Sequence, residues 1–162
     1  MPFRRVLVPL DGSALAEGVI PLLESIAGPL DLEVTLLRVL QPLPPEIIEG
    51  TRHLVIEDVE ARFAEARRYL TAIATTLEAT GVRVAIDVRR GQPVEEILEG
   101  VKAAKADLVA MTTHGRSGLG RLLFGSVAEA VLRHADVPVF LMKLTEKAAA
   151  AQAAARLAAT AR

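Results

Sequence analysis

The sequence predicts an α/β fold in three layers, α/β/α, with a five-stranded parallel sheet between two layers of helices. Short runs of consecutive apolar residues, typical of strands buried on both faces, alternate along the chain with longer segments of helical spacing. This alternation indicates parallel strands joined by helical crossovers. At 162 residues and 51% hydrophobic content, the chain is long enough to bury the core of one domain.

The first predicted strand is the apolar run Val6–Leu10, which ends at Asp11. Ser13 follows as the predicted N-cap of a helix over about residues 14–27. Pro21 falls inside this helix, and we expect it to kink the helix or delay its first turn rather than divide it in two.

The remaining elements continue the alternation. Strands are predicted over residues 32–40, 82–89, 107–111 and 139–142, and helices over residues 54–80, 94–104 and 126–134. Between them, residues 46–53 are predicted to form a loop or a short helical turn. The segment from Lys143 to Arg162 is rich in alanine with scattered Lys, Glu and Arg, so it is predicted to form a solvated helix or a disordered end.

Composition argues against several functional classes. A net charge of −1, 3% aromatic residues and no tryptophan argue against nucleic-acid binding. The absence of cysteine excludes disulfides, thiolate zinc sites and thiol catalysis. No apolar run approaches the roughly 20 residues of a membrane span, and the N-terminal run is too short for a signal peptide. We therefore expect a cytoplasmic protein with neither nucleic acid nor a membrane as a partner.

The glycine-rich stretch Thr112–Val127 connects the fourth predicted strand to the last predicted helix before the tail. A strand that leads through glycines into a helix N-terminus is typical of an anion site, because the first helical turn presents unpaired N–H groups. Ser126 is predicted to cap this helix, and its hydroxyl can reach a phosphate oxygen. Arg116 and Arg121 add positive charge. The stretch is thus predicted to be a phosphate-binding loop.

Three parts of the chain are expected to meet at one edge of the sheet. Asp11, Val39 and the glycine-rich stretch all follow or end predicted strands, and ligands of such sheets bind outside the carboxyl ends of the strands.

The sequence does not match the motifs of three other well-known loops, the P-loop, the dinucleotide-binding loop and the nucleophile elbow. Gly120 is not followed by the Lys and Ser or Thr of a P-loop, and no G-x-G-x-x-G follows the first strand. The residues around Ser117 also lack the second glycine of a nucleophile elbow.

The glycine-rich stretch resembles the universal stress protein family, whose nucleotide-binding members carry Gly-x2-Gly-x9-Gly-Ser/Thr. Nine residues separate Gly115 from Gly125, and Ser126 follows. Thr112 stands where the motif has its first glycine, and its side chain could crowd a nucleotide or form a hydrogen bond with it. The segments Val-Pro-Leu-Asp-Gly-Ser and Val-Pro-Val-Phe-Leu-Met also fit, so the resemblance covers about residues 4–143.

The resemblance implies an adenine nucleotide alpha hydrolase-like sheet with strand order 3-2-1-4-5, a universal stress protein domain over residues 1–143 and an Ala-rich tail over 144–162. It implies ATP as the ligand, alone or with Mg²⁺, with ADP or AMP as alternatives. The implied binding residues are Pro9, Leu10, Asp11, Val39, Met111, Thr112, Gly115, Arg116, Gly125, Ser126 and Val127. Those from Gly115 onward are expected to contact phosphate.

The resemblance also implies a stress-response protein that dimerises through its last strand, Val137–Met142, which would cover an exposed sheet edge. Because no general base or cluster of metal-binding carboxylates is evident, we expect ATP to act as a regulatory ligand with slow or no hydrolysis. Two alternatives stay open. One is a dimeric signalling module that binds no nucleotide, and the other is a slow ATPase.

Simpler interpretations exist for several of these residues. Asp11 can be a turn residue only, Gly125 and Ser126 can mark a helix start only, and Arg116 can be a solvated charge. The three histidines, His53, His114 and His134, are far apart in the sequence and have no nearby carboxylate cluster. We therefore expect structural roles for them rather than catalysis or metal binding.

Overall fold

The computed structural model describes residues 3–42, 52–114 and 125–160. In order, its elements are β1 (Arg5–Pro9), α1 (Ala14–Glu17), α2 (Ile20–Ile26), β2 (Glu33–Leu40), α3 (Arg52–Glu78), β3 (Arg83–Arg90), α4 (Pro93–Ala103), β4 (Leu108–His114), α5 (Ser126–His134), β5 (Val139–Leu144) and α6 (Glu146–Thr160). No helix in these ranges has the length and apolar character needed to cross a membrane.

The five strands form one parallel sheet in the order β3-β2-β1-β4-β5, which confirms the predicted fold class. The strand order reverses between β1 and β4, and their ladder ends at the pair Leu7 and Val109. Beyond this pair β1 stays with β2, since Leu10 N donates to Leu37 O at 2.8 Å. The two central strands therefore separate toward their carboxyl ends, where a parallel sheet binds its ligands.

Alternate residues of each strand pack into two separate cores, one on each face of the sheet. Val6 and Val8 face α2 and α3, whereas Leu7 faces α4 and α5, and all three are at most 1% exposed. On β4, Ala110 belongs to the first core and Met111 to the second. This period-two alternation decides which face of the sheet each functional side chain occupies.

The first helical segment differs from the prediction. We expected one kinked helix over residues 14–27, but α1 ends at Glu17 and α2 begins at Ile20 with Pro21 in its first turn. Proline lacks an N–H and its ring collides with the carbonyl four residues earlier, so it breaks a continuous helix but is tolerated at a new helix start. The predicted N-cap is confirmed, because Ser13 Oγ accepts a hydrogen bond from Ala16 N at 3.1 Å.

The Ala-rich tail forms α6, which packs against the first helices. At Gly18, just after α1, an added Cβ would collide with Leu144 at the end of β5 and would lie 3.4 Å from Gln152 Oε1 of α6. Arg156 joins three elements to α6: it lies 3.5 Å from Glu17 and 3.8 Å from Glu24, and it donates to Thr76 Oγ1 at 3.2 Å. The described part of the tail is thus a docked helix.

We expect Arg156→Ala to lower the free energy of unfolding by about 1–2 kcal/mol, because this partly buried cation binds several partners. Arg133→Ala is the matched control, since Arg133 forms an exposed ion pair with Glu129 within α5 and should cost less than about 0.5 kcal/mol. Urea unfolding of both variants measures the difference. Equal losses would contradict a docking role for Arg156.

Candidate functional site

A cavity of about 560 Å³ opens at the carboxyl edge of the sheet, where β1 and β4 separate. This volume lies within the range of small-molecule sites, about 300–1,000 Å³. Nine residues of the sequence-predicted site line it: Pro9, Leu10, Asp11, Val39, Met111, Thr112, Gly125, Ser126 and Val127. The other two, Gly115 and Arg116, lie outside the described residues. The fold therefore brings together distant parts of the sequence, and their contact with a ligand stays a prediction.

Asp11 lies at the rim of the cavity and is held by a turn. Its Oδ1 accepts a hydrogen bond from Ser13 N at 2.9 Å, and Gly12 between them has a φ of +86°. This left-handed conformation favours glycine, which explains the Asp-Gly-Ser sequence after β1. Asp11 thus has the turn role of the simpler interpretation, and its exposed carboxylate also remains beside the cavity.

Thr112, which replaces the first glycine of the motif, uses its hydroxyl within the protein. Its Oγ1 donates to Leu15 O at 2.7 Å, and the residue is 9% exposed. The bond ties β4 to α1 on the face of the sheet that α2 and α3 cover. The Thr112 hydroxyl proton is therefore already used within the protein, and only the lone pairs of Oγ1 are left to accept a hydrogen bond from a ligand.

The N-terminus of α5 forms another wall of the cavity. Gly125 is the N-cap and Ser126 the first helical residue, with no side-chain capping bond, so the prediction that Ser126 caps the helix is wrong. The reason is that Ser126 already has helical geometry, and its hydroxyl is left for other contacts. The first helical hydrogen bond runs from Glu129 N to Gly125 O, so earlier N–H groups have no intrahelical partner. Such a helix end favours an anion.

The lining residues that were not among the predicted site residues include Arg38, Arg62 and Thr113. Arg38 Nη1 donates to Leu10 O at a long 3.4 Å, and Arg62 Nη2 donates to Gln41 O at 3.0 Å. Neither arginine has an ion-pair partner within the part of the chain that the structure describes. A signal existed for Arg38, since it is a charge inside the apolar run 36–40 of a buried strand.

Arg38 lies over the ring of Tyr69, with 5.8 Å between the guanidinium carbon and the ring centroid. Burial raises the pKa of the Tyr69 phenol and the negative charge of Glu17 acts in the same direction, while Arg38 opposes them. The phenol is therefore neutral at physiological pH, and the guanidinium is the charged group of this pair.

The described residues contain no group of three or more histidines, aspartates and glutamates arranged to hold a metal ion. His53 lies in α3, His114 ends β4 and His134 ends α5, so the three histidines belong to separate elements. The polar groups of the described cavity lining are instead a helix N-terminus, hydroxyls, two arginines, one side-chain amide and one carboxylate.

A family model described as the universal stress protein family matches residues 2–143. The chain belongs to the universal stress protein family. The match ends at the last residues of β5, so α6 lies beyond the segment that the family model covers.

Individual family members are similar over most of their length. A universal stress protein of Methanocaldococcus jannaschii is 33% identical over 147 residues, which cover 90% of this chain and 85% of the relative. Another from the same organism has a solved structure with a TM-score of 0.74 and 27% identity, covering 90% of this chain and 99% of that one. The structure of a universal stress protein from Archaeoglobus fulgidus in complex with dAMP has a TM-score of 0.59 at 18% identity, covering 87% and 98%, and shows the common fold.

We expect Gly12→Ala to disturb Arg38, because a Cβ at residue 12 would lie 3.3 Å from Arg38 Nη1. Gly81→Ala is the matched control, since Gly81 has a φ of +85° and no atom within 4 Å of the added Cβ. Both variants should lose about 1–2 kcal/mol of stability from the left-handed conformation.

Tyrosine fluorescence separates the two variants, because Tyr69 is the single tyrosine and the chain has no tryptophan. Gly12→Ala should change the emission of Tyr69 as Arg38 moves over its ring, and Gly81→Ala should leave it unchanged. Identical spectra for the two variants would contradict the contact between Gly12 and Arg38.

Proposed function

We propose that this family member binds an adenine nucleotide, with ATP as the leading candidate, and uses it as a regulatory ligand in a stress response. The observation that carries the proposal is the cavity where β1 and β4 separate, because it combines the α5 N-terminus with nine residues of the predicted nucleotide site. The related protein from Archaeoglobus fulgidus in complex with dAMP supports an adenine nucleotide as the class of ligand.

The lining residues are chemically suited to the parts of a nucleotide. Val39 and Met111 offer apolar surface for a base, and the Asp11 carboxylate can accept a hydrogen bond from an exocyclic amine. The first turn of α5 and the Ser126 hydroxyl supply donors for phosphate oxygens. We propose that Arg116, outside the described residues, contributes positive charge to the phosphates, with or without Mg²⁺.

The small number of carboxylates among the described lining residues favours a regulatory role over fast hydrolysis. Among the described lining residues Asp11 is the single carboxylate, and its Oδ1 already accepts the Ser13 N–H. Hydrolysis of a phosphoanhydride is accelerated by a group positioned to orient or deprotonate the attacking water. We therefore propose slow or no hydrolysis, with a slow ATPase as the alternative.

A nucleotide-free signalling module is a second candidate function, and Thr112 is the observation that favours it. A threonine occupies the position of the first motif glycine, and its hydroxyl is bound to Leu15 O. Nucleotide that copurifies with the protein, detected by mass spectrometry after denaturation, would decide against this candidate.

The last strand supports a proposal for assembly. β5 pairs with β4 on one side and forms an edge of the sheet, and Phe140 on this strand is 41% exposed. Open edges with apolar side chains favour pairing with another strand. We propose a cytoplasmic homodimer that forms through Val137–Met142.

Titration of the protein with ATP by calorimetry tests nucleotide binding. Ser126→Ala and Arg116→Ala should each weaken binding by about 1–3 kcal/mol, since each removes a donor to a charged group. Ser25→Ala is the control, because the Ser25 hydroxyl donates to Leu22 O on α2 and does not line the cavity. Absence of heat at near-millimolar ATP would reject the proposal.

Light scattering coupled to size exclusion tests the dimer. Phe140→Asp should shift the protein toward the monomer, because it places a charge on the proposed β5 interface. Leu132→Asp is the control, because Leu132 is also an exposed apolar residue, 44% exposed, but lies on α5. This variant adds the same charge and should leave the dimer unchanged. A wild-type monomer at micromolar concentration would refute this assembly.

A further inference from the structure

Thr113 has a buried hydroxyl that forms no hydrogen bond with the described residues. The residue is 5% exposed, and its Oγ1 has no donor or acceptor within bonding geometry in the part of the chain that the structure describes. Gln152 Oε1 is in the same condition there, but Gln152 does not line the cavity. Thr113 therefore combines an unpartnered hydroxyl with a place at the candidate site.

An unpartnered buried hydroxyl is unfavourable for folding, at about 1–3 kcal/mol, because it has lost its bonds to water. The neighbouring threonine shows the contrast. Thr112 Oγ1 donates to Leu15 O at 2.7 Å on the opposite face of the sheet. The hydroxyls of these two adjacent threonines thus differ: the Thr112 hydroxyl is bonded within the fold, and the Thr113 hydroxyl keeps a donor that no described residue uses.

The position of Thr113 on β4 indicates which part of a ligand it meets. Side chains alternate along a strand, so Thr113 shares a face with Met111, which packs in one core with Ala128 of α5. Thr113 lies two residues nearer the carboxyl end, where Ser126 and Val127 of the first α5 turn line the same cavity. An anion held by this helix end would therefore lie on the Thr113 side of the sheet.

We propose that Thr113 is a phosphate-binding residue, whose Oγ1 donates a hydrogen bond to a phosphate oxygen of the nucleotide held at the N-terminus of α5. The inference rests on the proposed function and adds a ligand-binding residue to the site. Hydrogen bonds to charged acceptors are stronger than neutral ones, so the ligand would supply the partner that the hydroxyl lacks.

Thr113→Val tests the proposal, because valine keeps the shape of threonine and removes only the hydroxyl. Without ligand, this variant should unfold at the same temperature as the wild type or higher, since it removes an unpartnered polar atom. Its affinity for AMP and ATP should fall about tenfold, as for loss of one charge-assisted bond. Its affinity for adenosine should not change, and Thr113→Ser should keep wild-type affinity for all three.

Thr112→Val is the matched control. It removes a hydroxyl that is already bonded to Leu15 O, so it should lower the unfolding temperature without ligand. If Thr113→Val lowers that temperature as much as Thr112→Val does, the Thr113 hydroxyl has a partner in the protein and the proposal is overturned. An equal loss of affinity for adenosine and AMP would overturn the assignment to phosphate.

The experiment also separates this inference from the proposed function. If the wild type binds no adenosine, AMP or ATP, the adenine nucleotide proposal fails. Pyrophosphate that raises the unfolding temperature of the wild type, but not of Thr113→Val, would still support the phosphate contact. If pyrophosphate has no effect on the wild type either, both proposals fail.

Discussion

The separation of β1 from β4 is the constraint on which the site depends. Their ladder ends at Leu7 and Val109, and β1 then continues with β2 through the bond from Leu10 N to Leu37 O. The connections that follow β1 and β4 lead to opposite sides of the sheet, so no crossover helix among the described residues covers the gap between the two strands. Side chains and helix ends from both halves of the fold therefore converge at this gap. The residues that line it are the ones that can contact a ligand.

Most of the fold could be predicted from the sequence, because buried parallel strands and their crossover helices have distinct periods. The bounds of α5 were predicted without error at residues 126–134. The fourth strand was predicted to end at Met111 but extends to His114, because its last residues pair with β5 although Thr112 and Thr113 are polar. Strand pairing there overrides composition, and a sequence pattern does not contain that information.

The candidate site could be predicted in outline but not in its bonding. Residue types at strand ends indicated where Asp11 and Ser126 would lie, since topology alone brings these ends together. Whether a hydroxyl is used or left over depends on partners distant in sequence: Thr112 meets Leu15 across 97 positions, and Thr113 meets none among the described residues. Arg38 was missed because its exposure beside the cavity depends on the same long-range packing.

The docking of α6 has a consequence for biosynthesis. Gly18 and the carboxylates of Glu17 and Glu24 are synthesised early, but their partners Leu144 and Arg156 leave the ribosome much later. Domains fold as units while the chain is still being synthesised, N-terminal parts first. The first helices therefore keep this surface uncovered until α6 has been synthesised and docks against them.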